Sequence, residues 1–118
     1  MMLRIMCASK IHGATVTQTE LHYEGSITLP GDLMRVADVL PGQQVQIVNM
    51  SNGSRIETYV IEGPAGCGCI CLNGPAARSA VVGDRIHILA YALMDEEEAR
   101  GCVLNVVHVD ETNCPIER

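Results

Sequence analysis

The stretch QQVQIVNMSNGSRIETYVIE, residues 43–62, carries the strongest local folding signal in the sequence. Apolar and polar residues alternate on both sides of Ser51-Asn52-Gly53-Ser54, and a period of two is typical of β-strands with one buried face. An Asn-Gly pair can take the positive φ angles that a type I′ turn requires. The stretch therefore predicts a β-hairpin with strands at Gln43–Met50 and Arg55–Glu62.

The same pattern of short strands extends along the rest of the chain, with Gly, Pro and Asn between the apolar runs. Further strands are predicted at Leu3–Ala8, Ala14–Leu21, Cys69–Asn73, Arg85–Leu93 and Val103–Val109. Two short helical segments are predicted: Asp32–Leu40, capped by Asp32 and stopped by Pro41, and an acidic turn at Asp95–Ala99. The fold is therefore mainly β. A closed barrel would hide the sheet edges, but the pattern alone does not choose between a barrel and a sandwich.

Length and composition limit the architecture and the partners. The chain has 118 residues, of which 47% are hydrophobic, and this suits a single domain spanning residues 1–118 with one modest core. Its net charge is −6, it has a single lysine, and its three aromatic residues are all tyrosines. It therefore lacks the basic patch and the stacking platform that bind a phosphate backbone, so we expect no nucleic acid partner.

The N-terminal run from Met1 to Ser9 is apolar apart from Arg4. Lys10 and His12 interrupt it before it reaches the length of a signal peptide or of a membrane-spanning helix. We therefore expect a strand here and no membrane association. Without a secretory signal, the six cysteines are expected to stay reduced, which predicts a cytoplasmic location.

A second set of residues points to a specific chemistry. Residues 10–17 read KIHGATVT, and residues 21–26 read LHYEGS. In order and spacing these segments resemble the aspartate 1-decarboxylase family, and the resemblance covers essentially the whole chain. The other matching segments are Asn52-Gly53, Arg55, Thr58-Tyr59, Asn73-Gly74, Val82-Gly83-Asp84 and Met94-Asp95-Glu96-Glu97. The resemblance implies a six-stranded double-psi β-barrel with short helices, and a homotetramer with active sites between subunits.

In that family a Gly-Ser bond preceded by His-Tyr is cut by the chain itself. The resemblance places this bond between Gly25 and Ser26, so the zymogen is expected to yield chains 1–25 and 26–118. Glycine has no Cβ, and a strained backbone would let Ser26 Oγ approach the Gly25 carbonyl carbon. An N→O acyl shift and β-elimination would then free the Gly25 carboxylate. The dehydroalanine left at residue 26 would lose ammonia to water and become a pyruvoyl group.

The pyruvoyl group derived from Ser26 is the cofactor that the resemblance implies, with no metal and no pyridoxal phosphate. Its ketone would form a Schiff base with the amine of L-aspartate and accept electrons as carbon dioxide leaves. The implied reaction is the decarboxylation of L-aspartate to β-alanine, which feeds pantothenate biosynthesis.

The resemblance also implies supporting roles around this group. Thr58 is expected to assist the acyl shift by hydrogen bonding to the developing oxyanion, and Asn73 to orient groups around the cleavage loop. His12 and Tyr23 are expected near the pyruvoyl group as supporting residues. Read without the resemblance, Thr58 would be an ordinary strand threonine and Asn73 a turn former.

Substrate recognition needs cations because aspartate carries two carboxylates. The planar guanidinium of Arg55 can hold a carboxylate with two parallel hydrogen bonds. Binding the departing α-carboxylate would stabilise the ground state, so we assign Arg55 to the side-chain carboxylate. By resemblance Lys10 is the second cation. Tyr59 is the predicted acid that protonates the α-carbon, because a phenol keeps its proton at neutral pH.

Backbone groups at Gly74, Pro75 and Ala76 are expected, by resemblance, to meet the substrate. Three residues depart from the usual family pattern. Pro75 stands where alanine is common and lacks an N–H donor. Arg78 replaces the usual histidine, and His87 replaces an aliphatic residue that often lines the site. From strand alternation alone, His87 is expected to face solvent.

The run Cys67-Gly68-Cys69-Ile70-Cys71 is not explained by the resemblance. On a strand its three thiols would share one face, where a soft metal could bind. The usual metal-binding spacing of Cys-x₂₋₄-Cys is absent, so small apolar filler is the preferred interpretation.

Two other functional classes remain open from the sequence. One is a pyruvoyl enzyme that acts on a different amino acid, and activity on aspartate but not on ornithine or histidine would exclude it. The other is a non-catalytic barrel or binding module that never cleaves itself, which a denaturing gel would reveal.

Overall fold

The computed structural model describes residues 1–116 and contains one nine-stranded sheet. The strands are β1 (Arg4–Thr15), β2 (Gln18–Glu20), β3 (Ser26–Pro30), β4 (Gln44–Asn49), β5 (Arg55–Gly63), β6 (Cys71–Asn73), β7 (Arg85–Met94), β8 (Asn105–Val109) and β9 (Pro115–Ile116). The helices are α1 (Gly31–Ala37), α2 (Glu96–Gly101) and a 3₁₀ helix at Gly74–Ser79. The strand order in the sheet is β2-β6-β3-β5-β4-β7-β1-β8-β9.

The sheet is mixed, with β1 antiparallel to β7 and parallel to β8, and with β3 parallel to β5 and antiparallel to β6. The mainly β prediction is confirmed. Six strands have five or more residues: β1, β3, β4, β5, β7 and β8. This is consistent with a small β-barrel. Within residues 1–116, however, hydrogen bonds do not join the edge strands β2 and β9 into a closed ring.

Strand alternation divides the sheet into a buried face and an outer face. On β4, Val45 and Ile47 are buried, and on β7 so are Ile86 and Ile88. Burying each of these side chains contributes about 1.5–3 kcal/mol. We call the opposite side of β1, β3, β4, β5, β6, β7 and β8 the outer face. It carries the polar residues that alternate with this core, and the candidate site lies there.

The predicted hairpin of β4 and β5 is confirmed, but the predicted type I′ turn is wrong. The loop is closed by the Gly53 N–H, which donates to the Asn49 carbonyl at 2.9 Å. Of the Asn52-Gly53 pair only Gly53 has a positive φ, +75°. The buried Asn49 side chain accepts a hydrogen bond from the Ser51 N–H at 2.7 Å. It therefore stabilises a wider turn that does not need a left-handed Asn52.

Several element boundaries differ from the prediction. The predicted strand Leu3–Ala8 continues through residues 9–15 as β1, because Lys10 and His12 alternate with buried residues instead of ending the strand. The predicted strand Ala14–Leu21 is divided in the structure. Its first two residues belong to β1, and its second half contains only the short strand β2. Strands β3 and β9 and the 3₁₀ helix were not predicted. The other strands agree with the prediction to within about two residues.

Helix α1 is shorter than predicted and is not capped by Asp32. It begins at Gly31 after Pro30, and it ends at Ala37 because Asp38 takes the left-handed conformation, with φ 57°. The Asp32 carboxylate instead accepts a hydrogen bond from the Gly66 N–H at 3.1 Å. Helix α2 begins with the capping box of Asp95, close to the prediction. No helix within residues 1–116 has both the length and the apolar character needed to span a membrane.

Candidate active site

Ser26 is the first residue of β3, and its exposed fraction is 0%. In the antiparallel pairing of β3 with β6, Ser26 lies opposite Asn73. The Asn73 Nδ2 donates to Ser26 Oγ at 2.9 Å and to Thr28 Oγ1 at 3.0 Å. The fold therefore brings together two predicted site residues that are 47 positions apart in the chain.

The Ser26 hydroxyl is turned back along the chain. Its Oγ donates to the Glu24 carbonyl oxygen at 3.4 Å, which is a long hydrogen bond. This contact keeps Oγ beside the segment that contains the Gly25–Ser26 peptide, while Asn73 Nδ2 donates to the same oxygen. The arrangement can hold a nucleophile near the peptide that precedes it.

Gly74 packs directly against the segment of the predicted cleavage bond. Its φ is +64°, and a Cβ at this position would lie 2.6 Å from the Tyr23 carbonyl oxygen and 2.8 Å from the Gly25 N. Pro75 Cδ would lie 3.5 Å from a Cβ at Gly25. Ala76 is buried, whereas the Tyr23 side chain is exposed. The start of the 3₁₀ helix thus forms one wall of the cleavage segment, and its contact with a substrate stays a prediction.

Tyr59 and Thr58 lie on β5, the parallel neighbour of β3. The ladder between these strands includes Ile27 opposite Val60, and Ser26 and Tyr59 are one residue earlier on each strand. Since side chains alternate, Tyr59 lies on the outer face with Ser26, and Thr58 lies on the core side. Within residues 1–116 the Thr58 hydroxyl makes no hydrogen bond. Its predicted role in the acyl shift stays a prediction.

Arg55 begins β5 and is exposed on the outer face. Its Nη1 donates to Gln46 Oε1 at 2.8 Å. The guanidinium forms no ion pair with any carboxylate of residues 1–116. Glu57 lies between Arg55 and Tyr59 on this face and accepts a hydrogen bond from Gln44 Nε2 at 2.6 Å. Arg55 therefore keeps donors available for a carboxylate.

Lys10 and His12 also lie on the outer face, but on β1. Lys10 is opposite Leu89 on β7, and Leu89 is opposite Gln46 on β4. In the strand order, β1 is three strands from β5 and four strands from β3. With strands about 4.8 Å apart, Lys10 is ~14 Å from β5 and ~19 Å from Ser26 along the sheet. One protomer thus does not bring Lys10 and His12 to Ser26.

His12 belongs to a cluster of imidazoles on the outer face. Its ring stacks on that of His87 with centroids 4.1 Å apart, and the His108 ring is 4.9 Å from it. The His87 Nδ1 accepts a hydrogen bond from the Gly13 N–H at 3.0 Å. Burial, which is the largest cause, and the neighbouring charges of His12 and Lys10 together lower the pKa of His87 to about 4. His87 thus lies on the outer face, as strand alternation predicted, but it is half-buried against His12 instead of fully exposed, and it is neutral at pH 7.

Comparison with known proteins decides the family. Residues 2–116 match the family model described as Aspartate decarboxylase. The chain is 52% identical over 115 residues to the Aspartate 1-decarboxylase of Thermoanaerobacter pseudethanolicus, covering 98% of both chains. It is 54% identical over 108 residues to that of Dehalococcoides mccartyi, covering 92% of this chain and 87% of the relative. The chain belongs to the aspartate decarboxylase family.

In this aspartate decarboxylase family member, two residues that were not predicted complete the network around Ser26. Cys71 Sγ donates to Asn73 Oδ1 at 3.1 Å, and Thr28 Oγ1 accepts from Asn73 Nδ2 at 3.0 Å. Strand alternation was the signal that could have found them. Cys71 is two residues before Asn73 and Thr28 is two residues after Ser26, so each shares a face with a predicted site residue.

The cysteines of this family member do not form one surface. Cys67 and Cys69 precede β6 and are exposed, whereas Cys71 is buried on β6. The expectation of buried filler is wrong for Cys67 and Cys69, because the chain turns there at Gly68, which has a φ of +67°. In the described part of the chain, no group of three or more His, Cys, Asp or Glu side chains is arranged to hold a metal ion.

Proposed function

We propose that this chain converts L-aspartate to β-alanine and carbon dioxide after it cuts its own Gly25–Ser26 bond. The observation that carries the proposal is the buried Ser26 hydroxyl, hydrogen-bonded to Asn73 at 2.9 Å. This arrangement occurs in a chain whose relatives are named Aspartate 1-decarboxylase. A buried serine held by an amide at the start of a strand gives the nucleophile a fixed position next to the peptide to be cut.

The cleavage would proceed from the observed contacts. Ser26 Oγ attacks the Gly25 carbonyl carbon and its proton moves to the leaving nitrogen, so the amide becomes an ester. The Asn73 Nδ2 donor stabilises the alkoxide character that Oγ gains as the hydroxyl gives up its proton, and the negative charge then passes to the Gly25 carbonyl oxygen as the new bond forms. β-Elimination then breaks the ester and frees the Gly25 carboxylate. Hydrolysis of the resulting dehydroalanine releases ammonia and leaves the pyruvoyl group at residue 26.

The surroundings of residue 26 fit a pyruvoyl group. Oγ leaves with the Gly25 carboxylate, so the ketone oxygen of the pyruvoyl group would be carried by Cα of residue 26. The Asn73 Nδ2, which donates to Ser26 Oγ before cleavage, would then be a hydrogen-bond donor beside this group. Because Gly74 has no Cβ, the backbone of Tyr23 and Gly25 can lie directly against it. When formed, the group supplies an electron-withdrawing carbonyl that binds the substrate amine and accepts electrons as the carboxylate departs.

Protein side chains would bind aspartate and deliver the proton. Arg55 holds the side-chain carboxylate through its free guanidinium donors. Tyr59, on the strand next to Ser26 and on the same face, delivers a proton to the α-carbon. Arg55 and Tyr59 are four residues apart on β5, or about 13 Å, so Arg55 bound to the same aspartate must extend along the strand or come from another copy.

We place the complete site between copies of the chain in a homotetramer. Lys10 and His12 lie four strands from Ser26, so another protomer has to supply them if they act on the same substrate. The outer face also carries exposed apolar side chains, with Ile5 at 72% and Leu93 at 65%. They border a groove of about 420 Å³ that Tyr91 and Gln44 also line. Contact with a second copy would cover this apolar surface.

The six cysteines are free thiols, which supports the cytoplasm as the location.

The activity is tested by incubating the purified wild-type protein with L-aspartate, ornithine or histidine and measuring carbon dioxide release and amine products. We expect β-alanine from aspartate and no product from the other two. A product from ornithine or histidine, but not from aspartate, would contradict the proposed substrate. Light scattering after size exclusion tests the tetramer, and a monomer with full activity would refute the shared site.

The role of Ser26 is tested with Ser26→Ala, which removes the attacking oxygen. The variant should fold, stay uncut and be inactive. Cleavage between residues 25 and 26 in this variant would refute the mechanism.

A further inference from the structure

We propose that Cys71 is a positioning residue for self-cleavage, because its thiol fixes the side-chain amide of Asn73 in the orientation that presents Nδ2 to Ser26. The proposal rests on the proposed self-cleavage at Gly25–Ser26 and adds a residue to it.

The contacts define the orientation of the amide. Cys71 and Asn73 are both buried, and the thiol Sγ lies 3.1 Å from Asn73 Oδ1. At the other end of the amide, Nδ2 donates to Ser26 Oγ and Thr28 Oγ1 at 2.9 and 3.0 Å. Each end of the Asn73 side chain therefore has a partner of the matching kind, a donor for Oδ1 and acceptors for Nδ2.

A half-turn of the amide would exchange its two ends. The NH₂ group would then face Cys71, whose sulfur is a weak acceptor, and Oδ1 would face the hydroxyls. Ser26 would have to donate its proton to Oδ1. An acceptor would also stand beside Oγ as the hydroxyl gives up its proton, and would repel the alkoxide character that Oγ then gains. The observed orientation stabilises the attack, and the flipped one opposes it.

Cys71 keeps the proton that this role needs. Burial raises the pKa of the Cys71 thiol, and the neighbouring Glu20 and Cys69 raise it further. The group is therefore a neutral S–H donor at pH 7 rather than a thiolate. The alternative acceptor, the Leu72 carbonyl, is 3.9 Å from the sulfur, so Asn73 Oδ1 is the closer partner.

The experiment compares three substitutions whose order differs between a positioning role and simple filling of space. Cys71→Ser keeps a donor but loses apolar character. Cys71→Val keeps apolar volume but loses the donor, and Cys71→Ala loses both. If Cys71 positions Asn73, Val and Ala should slow cleavage about 3–10-fold, the effect of one hydrogen bond of ~1 kcal/mol, while Ser cleaves at nearly the wild-type rate. If Cys71 only fills space, Val should cleave like the wild type and Ser like Ala.

Rates are measured by translating each chain in a cell-free reaction, stopping translation, and following the loss of full-length chain on denaturing gels. Cys69→Ala, at an exposed thiol just before β6, is the matched control and should cleave normally. A double-mutant cycle then repeats Cys71→Val in an Asn73→Ala background, where it should not slow cleavage further. That readout tests the coupling even if one variant is less stable.

The outcomes separate this proposal from the one it rests on. If the wild type never yields chains 1–25 and 26–118, the proposed function fails, whatever Cys71 does. If the wild type cleaves and Cys71→Val cleaves equally fast, or if Cys71→Ser is as slow as Cys71→Ala, the positioning role is overturned. An additive effect of Cys71→Val and Asn73→Ala would also overturn it.

Discussion

Replacing Gly74 with alanine would place a methyl group where the cleavage segment lies. The new Cβ would stand 2.6 Å from the Tyr23 carbonyl oxygen and 2.8 Å from the Gly25 N. To restore ordinary contacts of about 3.5 Å, the segment must shift by about 1 Å. A misplacement of that size can cost about 10²-fold in rate when it separates reacting groups, so we expect Gly74→Ala to cleave about 100 times more slowly.

The same substitution should also destabilise the fold by an amount that can be divided into two parts. Gly74 has a φ of +64°, and an L residue in that conformation costs about 1–2 kcal/mol. Crowding against the backbone adds about 1–3 kcal/mol. Gly42 is the matched control, because its φ is +83° and a Cβ there would meet nothing within 4 Å. Gly42→Ala should therefore pay only the first cost and should cleave normally.

The two costs are measured by urea unfolding in a Ser26→Ala background, where no variant can cleave. Gly74→Ala should then be less stable than Gly42→Ala by about 1–3 kcal/mol. Cleavage rates are measured separately in chains that retain Ser26, by gel time courses after cell-free translation. Equal stability of the two variants, together with cleavage of Gly74→Ala within twofold of Gly42→Ala, would refute the packing of Gly74 on the scissile segment.

Three further predictions concern other parts of the site. Arg55→Lys should cleave normally but raise the KM for aspartate roughly tenfold, because the planar fork is lost; an unchanged KM would remove Arg55 from substrate binding. Tyr59→Phe should form normal pyruvoyl while β-alanine production falls by roughly 10²–10⁴; full pyruvoyl with near-wild-type turnover would exclude Tyr59 as the acid. The pKa of His87 is about 4 when folded against an ordinary 6.5, so the unfolded chain binds more protons between these values and stability falls as the pH drops from about 6.5 to 4. His87→Leu should flatten that slope in urea midpoints measured at pH 7, 5 and 4, and an unchanged slope would contradict the lowered pKa.

The parts of the fold that follow from local pattern could be predicted from the sequence. The hairpin of β4 and β5 follows from alternation over several residues. Its turn type could not be predicted, because it depends on the burial of Asn49, whose side chain donates to the Ser79 carbonyl at 3.1 Å and to Asp84 at 2.9 Å. Strand β3 was missed. It has five residues and is held by pairing with β5 and β6, which are distant from it in the chain.

The candidate site likewise combines features that the sequence identifies with features that depend on contacts between distant residues. Ser26, Asn73 and Tyr59 were identifiable as site residues from the resemblance of their motifs to the family. The hydrogen bond from Asn73 to Ser26 required the register of β3 against β6, which joins residues far apart in the chain. The stacking of His87 on His12 likewise depends on the pairing of β1 with β7. The separation of Lys10 from Ser26 depends on the strand order, which no local pattern encodes.

Self-cleavage is tested most directly by an intact mass spectrum of the purified wild-type protein under denaturing conditions. We predict two chains, residues 1–25 with a free carboxylate and residues 26–118 with a pyruvoyl N-terminus. The second chain should be lighter, by the mass of ammonia, than the same chain with an N-terminal serine. It should also resist amine labelling at its N-terminus. A single intact chain of 118 residues, or a 26–118 chain that begins with a free serine amine, would contradict the conclusion that this protein makes its own cofactor.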